Sequence, residues 1–142
     1  MNNIETSKGL SAEPQCLFDD STASVQLLLA EESASMRLEA QALLESENYS
    51  VILAQDGFEA LALVEQHHPA IVLADIMLPR VDGYQLCSLI RRNPAYRDIP
   101  VILLSPHEGV LDQGRADLVG SHAHVCKPDM GSTLVDVLRA FT

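Results

Sequence analysis

Five short apolar blocks, separated by segments whose apolar residues recur at helical spacing, restrict what this chain can fold into more than any other feature. The blocks are Val25–Ala30, Tyr49–Ala54, Ala70–Ala74, Pro100–Leu104 and Ala123–Cys126. Ala70–Ala74 and Pro100–Leu104 are apolar on both faces, as central strands of a parallel sheet must be. Between the blocks, Met36, Ala40, Leu43 and Leu44, then Phe58, Leu61 and Val64, then Cys87 and Ile90, and finally Leu134, Leu138 and Phe141 mark helical stripes. Ser33 or Ser35 is placed to cap the first helix, Asp56-Gly57 is a turn signal, and Asn93-Pro94 ends the helix that starts at Tyr84. The stretch from Glu108 to Val119 predicts a weak fourth helix, because Gly109 and Gly114 each cost about 1 kcal/mol relative to alanine. Alternating strands and helices with short connections predict an α/β fold, a five-stranded, doubly wound parallel sheet flanked by five helices. Residues 1–24 carry no sustained period and read as a flexible leader containing the apolar pair Leu17-Phe18; residues 25–142 read as one domain.

Composition removes several function classes. With 47% hydrophobic residues the chain can bury a core, so it is not an intrinsically disordered acidic polymer despite a net charge of −11. No run approaches the roughly 18 apolar residues that a spanning helix needs, so membrane insertion is not expected. The start of the chain lacks a basic stretch followed by an apolar one, so no secretory signal is read. Cys16, Cys87 and Cys126 have no metal-like spacing and suit the reduced thiols of a cytoplasmic protein. Basic residues do not cluster beyond Arg91-Arg92, so nucleic acid is not an expected partner. No glycine-rich phosphate loop follows the first block, which argues against a nucleotide site.

In a doubly wound sheet the working site lies beyond the carboxyl ends of the strands. Those ends carry Glu31-Glu32, Asp75, Ser105 and Lys127. Each alone suits a turn, a cap or a loop; together they predict three carboxylates converging with an ammonium and a hydroxyl. Clustered carboxylates repel unless a proton or a cation sits among them, and hard oxygen ligands of this kind suit Mg²⁺. A carboxylate nucleophile, a divalent cation, a lysine and a hydroxyl make a site for moving a phosphoryl group onto an aspartate.

Ala30-Glu31-Glu32-Ser33, Asp75-Ile76-Met77-Leu78-Pro79-Arg80-Val81-Asp82-Gly83, Pro100 through Ser105 and Cys126-Lys127-Pro128 together resemble the receiver domain of two-component response regulators, a flavodoxin-like fold. The resemblance runs from about Val25 to the last residue. Asp56-Gly57-Phe58-Glu59-Ala60-Leu61-Ala62 and Asp82 through Cys87 are most similar to the chemotaxis-like single-domain regulators of pilus-driven twitching motility. The resemblance implies that Asp75 is the phosphoacceptor and that Glu31 and Glu32 stand where the family has its metal-holding acids. It makes the backbone carbonyl of Met77 the third Mg²⁺ ligand and Ser105 the switch hydroxyl. Lys127 becomes the phosphate-binding lysine, preceding a cis peptide to Pro128. It further implies a histidine kinase or phosphotransfer protein as phosphoryl donor and a protein target engaged through the face of helix four, strand five and helix five. Only self-phosphorylation and self-dephosphorylation, not enzymatic turnover, are expected, and with the last residues at Phe141-Thr142 no output domain is expected to follow.

Two positions depart from the family pattern. Both acids are glutamates where aspartate is usual, each longer by about 1.5 Å. His124 stands where receivers carry a tyrosine or phenylalanine that moves with the switch hydroxyl. These departures motivate an alternative, a degenerate receiver that serves as a phosphorylation-independent interaction module. A magnesium-dependent phosphatase is a third reading, disfavoured because Met77 occupies the place of the second acid such enzymes require. His67-His68 reads as a solvated helix end, His107 as a residue at the pocket mouth, and Cys126 as a packed thiol.

Overall fold

The computed structural model describes residues 24–107, 109–127 and 130–142. Within them, in chain order, lie β1 (Val25–Ala30), α1 (Ala34–Ser46), β2 (Tyr49–Ala54), α2 (Gly57–His67), β3 (Ile71–Asp75), α3 (Gly83–Arg92), β4 (Val101–Ser105), α4 (Gln113–Val119), β5 (Ala123–Cys126), a π-helical turn (Met130–Leu134) and α5 (Val135–Phe141). The strands form one parallel sheet in the order β2-β1-β3-β4-β5, which is the doubly wound arrangement the apolar blocks predict. The expected leader and the expected cis peptide at Pro128 fall on residues outside the described ones.

Period-two side-chain alternation divides the core into two layers. Leu28, Ala30, Val72, Ala74, Val101 and Leu103 face α2, α3 and α4. Leu27, Leu29, Ile71, Leu73, Ile102 and Leu104 face α1 and α5, where Leu44, Leu134 and Leu138 meet them. β3 and β4 are buried at every residue, so their lack of alternation in the sequence is the signature of two covered faces.

Local chemistry sets the helix boundaries. The Ser33 side chain accepts from Met36 N–H at the start of α1, Asp56 caps α2, and Asp82 with Gln85 forms a reciprocal capping box on α3. Two expectations are corrected. α4 starts at Gln113 behind its cap Asp112, not near Glu108; Gly109 adopts φ +84°, a left-handed conformation that ends any helix there. Phe58 does not join the inward stripe of α2: it is 59% exposed beneath the Arg80 guanidinium, and Gly57, Ala60 and Val64 form the buried face instead. Gly57 and Gly83 are in this fold for closeness: a Cβ on Gly57 would meet the Val81 carbonyl oxygen at 1.9 Å, and one on Gly83 would meet that of Asp75 at 2.6 Å.

Candidate functional site

Parallel register places Glu31 and Asp75 side by side. Ala30 pairs with Ala74 across β1 and β3, so the next residue on each strand arrives at the same rim. Both acids are buried, at 3% and 4% exposure. Asp75 ends the central strand; its Oδ1 accepts from Met77 N–H at 2.9 Å, which fixes the carboxylate against its own loop. Glu31 Oε2 accepts from Ser33 N–H at 3.0 Å. Lys127 comes from the far edge of the sheet, just after β5, and its side chain reaches past the end of β4. Its Nζ lies 2.5 Å from Glu31 Oε1 and donates to Asp75 Oδ2. Burial alone would pull the Lys127 ammonium below its ordinary range, but hydrogen bonds and Coulomb attraction from Asp75 and Glu31 outweigh it and hold the group above that range.

Ser105 closes β4 at 2% exposure, one residue beyond the Asp75–Leu104 pair. Among the described residues its hydroxyl has no hydrogen-bond partner. It opens into a cavity of about 410 Å³ that His124, Cys126, Gln113 and Thr133 also line. His124 is exposed on the edge strand, and Cys126 is a half-buried free thiol. His67 and His68 are exposed at the end of α2, as a solvated helix end requires.

Glu32 does not join the expected convergence of three carboxylates. It is exposed in the loop that follows the end of β1 at Ala30. Among the described residues no three His, Cys, Asp or Glu side chains come together as a metal-holding group. The donor set still fits Mg²⁺, which takes one or two protein carboxylates and completes its octahedron with waters and phosphate oxygens. Glu31 and Asp75 supply two hard anionic oxygens, both within hydrogen-bond reach of the single Lys127 charge. One negative charge in this buried pair is therefore left for a cation to neutralise.

Sequence reasoning missed two supports. Arg37 on α1 donates from Nη1 to the carbonyl oxygens of Glu31 at 2.8 Å and Glu32 at 2.9 Å, tying the acidic loop to the helix after it. Tyr84 accepts from Asp112 N–H at 2.8 Å through its hydroxyl while Arg115 lies over its ring at 4.4 Å, which joins α3 to the start of α4. Arg37 binds backbone oxygens, which have no residue-type signature, and only its helical position after Glu31-Glu32 hinted at it.

Comparison with known proteins agrees with this geometry. The model of the response regulator receiver domain matches residues 27–139. The chain is 37% identical over 123 residues to protein PilG of Pseudomonas aeruginosa, covering 87% of this chain and 91% of that protein. It spans about half the length of several other curated relatives that it matches. Among solved structures, chemotaxis protein CheY4 of Vibrio cholerae superposes with a TM-score of 0.78 over 84% of this chain and 100% of its own, at 24% identity, a likeness of fold. The receiver domain of the sensor histidine kinase PA1611 of Pseudomonas aeruginosa, with magnesium coordinated in its active-site cleft, superposes with a TM-score of 0.77 at 28% identity over 84% of this chain and 98% of that one. A doubly wound sheet with a lysine clasping two rim carboxylates, and a family match across nearly all of the described chain, make this protein a member of the response regulator receiver family, the receiver domains of two-component signalling.

Proposed function

We propose that the domain accepts a phosphoryl group on Asp75 from a histidine kinase or phosphotransfer protein and passes the signal on by binding a protein target. The observation that carries this reading is the shared Lys127 clasp on Asp75 and Glu31 at the rim of the central strand. An Asp75 carboxylate oxygen attacks phosphorus, the P–N bond to the donor imidazole breaks, and the imidazole keeps the electron pair and takes up a proton. The product is an acyl phosphate. Met77 N–H holds Oδ1 in place, so the carboxylate does not need to be oriented at the moment of attack. Lys127 moves its hydrogen bond from Oδ2 to a phosphoryl oxygen, and the Ser105 hydroxyl, without a partner among the described residues, gains an acceptor there. Glu31, Asp75 and the Met77 carbonyl would hold Mg²⁺, which when bound would supply charge neutralisation for the incoming phosphoryl oxygens. No side chain stands ready as a second acid at Met77, which is in keeping with a phosphoacceptor and not a turnover phosphatase.

Incubation with acetyl phosphate and Mg²⁺ tests the reading: the intact protein gains the mass of one phosphoryl group, and Asp75→Asn gains none. Folded wild type that stays unmodified, or an Asp75→Asn variant modified equally, overturns it.

The exposure of Glu32 favours a second reading, the phosphorylation-independent interaction module, because it leaves fewer side-chain ligands at the rim. A Mg²⁺ titration separates the two. Saturable binding in the millimolar range, lost in Glu31→Gln, supports the phosphoacceptor, and its absence supports the module.

A further inference from the structure

One outward groove lies away from the rim. It runs along α3, has a volume of about 290 Å³, and is lined by Arg80, Val81, Gln85, Ser88, Leu89 and Arg92. Ser88 and Leu89 stand three and four residues after Gln85, and four and three before Arg92, so the four form a single stripe of the helix. Val81 and the partly exposed Leu89 give the groove an apolar floor, and an arginine stands at each end.

These arginines differ from Arg37, Arg91, Arg115 and Arg139 in this chain of net charge −11; Arg97 is also exposed with its side chain unpaired among the described residues, but it lies outside the groove. Arg37 is bound to loop carbonyls, Arg91 to the carbonyls of Gly120 and Ile99, Arg115 to Asp82 and the Tyr84 ring, and Arg139 to Glu47. Arg92 is exposed and has neither an ion pair nor a side-chain hydrogen bond among the described residues. Arg80 stays 62% exposed; a contact with Asp56 at 3.9 Å and the Phe58 ring below hold its guanidinium in place without consuming it. The groove therefore suits a segment with apolar residues in the middle and acids at both ends.

The chain contains such a segment before β1: Glu13-Pro14-Gln15-Cys16-Leu17-Phe18-Asp19-Asp20. We propose that this segment docks in the α3 groove of its own chain, with Leu17 and Phe18 on Val81 and Leu89, Asp19 and Asp20 at Arg92, and Glu13 toward Arg80. Topology supplies the direction. Helices in this fold run antiparallel to the strands, so the Arg92 end of α3 lies toward the end of the sheet where the strands, Val25 among them, begin. From Asp20 to Val25 the chain reaches at most about 18 Å, and from Leu17 about 29 Å, at roughly 3.6 Å per extended residue. The ten residues of α3 are about 15 Å long, within the span of an extended Glu13–Asp20. Tethering makes the contact intramolecular, which raises the effective concentration of a weak docking motif to about millimolar.

Cys16 offers the test in the full chain. A nitroxide on Cys16, with Cys126→Ser to keep labelling single and Cys87 left unlabelled by its burial, should remove most of the amide NMR intensity of Gln85, Ser88, Leu89 and Arg92 relative to a diamagnetic label. Arg92→Glu should restore that intensity, and pairing it with Asp19→Lys and Asp20→Lys should remove it again. Intensities that stay even across α3, or broadening on a different face, overturn the proposal. So does broadening seen only between a labelled and an unlabelled chain, which would make a second copy the occupant.

Discussion

At the scale of single residues, the rim is a problem in charge placement. Glu31 and Asp75 are two buried anions whose shared counter-charge is Lys127, itself mostly buried. Removing one partner of a buried ion pair is costlier than removing the whole set, because the remaining charge is left unpaired in low dielectric. Lys127→Met should therefore cost about 3–5 kcal/mol in urea unfolding, and Lys127→Met combined with Glu31→Gln should recover part of that loss. Equal destabilisation of the single and double variants would show that Lys127 matters for packing and not for charge. Gly83 is a second sensitive position: its backbone lies against Asp75 and Ile76, so Gly83→Ala must push the loop off the strand end. A cost of about 1–3 kcal/mol is expected from such overpacking, with Asp75 and Met77 amide shifts as its local signature. The acids, the hydroxyl and the lysine were legible in the sequence because each stands where a strand pattern stops. The outward turn of Glu32 was not, since beyond Ala30 no pattern fixes which way successive side chains point. Arg37 was illegible for a different reason, its partners being carbonyl oxygens common to every residue.

At the scale of elements, strands were easier to read than helices. β3 and β4 are buried throughout, and continuous apolar sequence records that directly. α4 is short and has Ala116 as its only fully buried residue among those described, so its start depends on the Asp112 cap and the left-handed Gly109, neither of which a helical period reveals. Position is restored to α4 by contacts from α3. Cys87 Sγ donates to the Val119 carbonyl at 3.3 Å, and Arg91 Nε donates to that of Gly120 at 3.0 Å. Arg91 Nη2 also donates to His122 Nδ1 at 2.9 Å, and Val101 N–H points at the same nitrogen at 3.3 Å. His122 must therefore be neutral with its proton on Nε2, and its ring meets that of Phe141 on α5 edge-on. Burial, with Arg91 close by, lowers its pKa below the ordinary 6.5. A folded-state value below the unfolded one means that the contribution is complete above pH 6.5 and is lost as pH falls through the folded value. The urea midpoint should thus drop between pH 7 and pH 5, and His122→Asn, whose amide oxygen can still accept from Arg91, should flatten that dependence. An identical pH profile in the variant would assign the acid sensitivity to other groups.

At the scale of the whole molecule, the net charge of −11 and the buried anionic rim respond differently to ions. Repulsion among surface charges opposes the compact state, and at 0.15 M salt it is screened beyond about 8 Å. Sodium chloride raised from about 0.01 to 0.15 M should therefore raise the melting temperature, and it should do so equally in wild type and in a Glu31→Gln variant. Buried pairs are screened much less, so the Glu31–Lys127–Asp75 cluster contributes little to that rise. If the rim takes up Mg²⁺ as proposed, magnesium chloride at matched ionic strength should add a second, site-specific stabilisation, since a ligand that binds only the folded state contributes about 2.7 kcal/mol at one hundred times its dissociation constant. Wild type should gain several degrees over the sodium control, while Glu31→Gln and Asp75→Asn gain less because each deletes one of the two anionic donors. Glu32→Gln divides the possibilities at the rim further. With the Glu32 side chain exposed, the substitution should leave the magnesium increment close to that of wild type. An increment lost in Glu32→Gln would mean that the loop turns Glu32 inward when the cation binds, and that the two glutamates act together across the added methylenes.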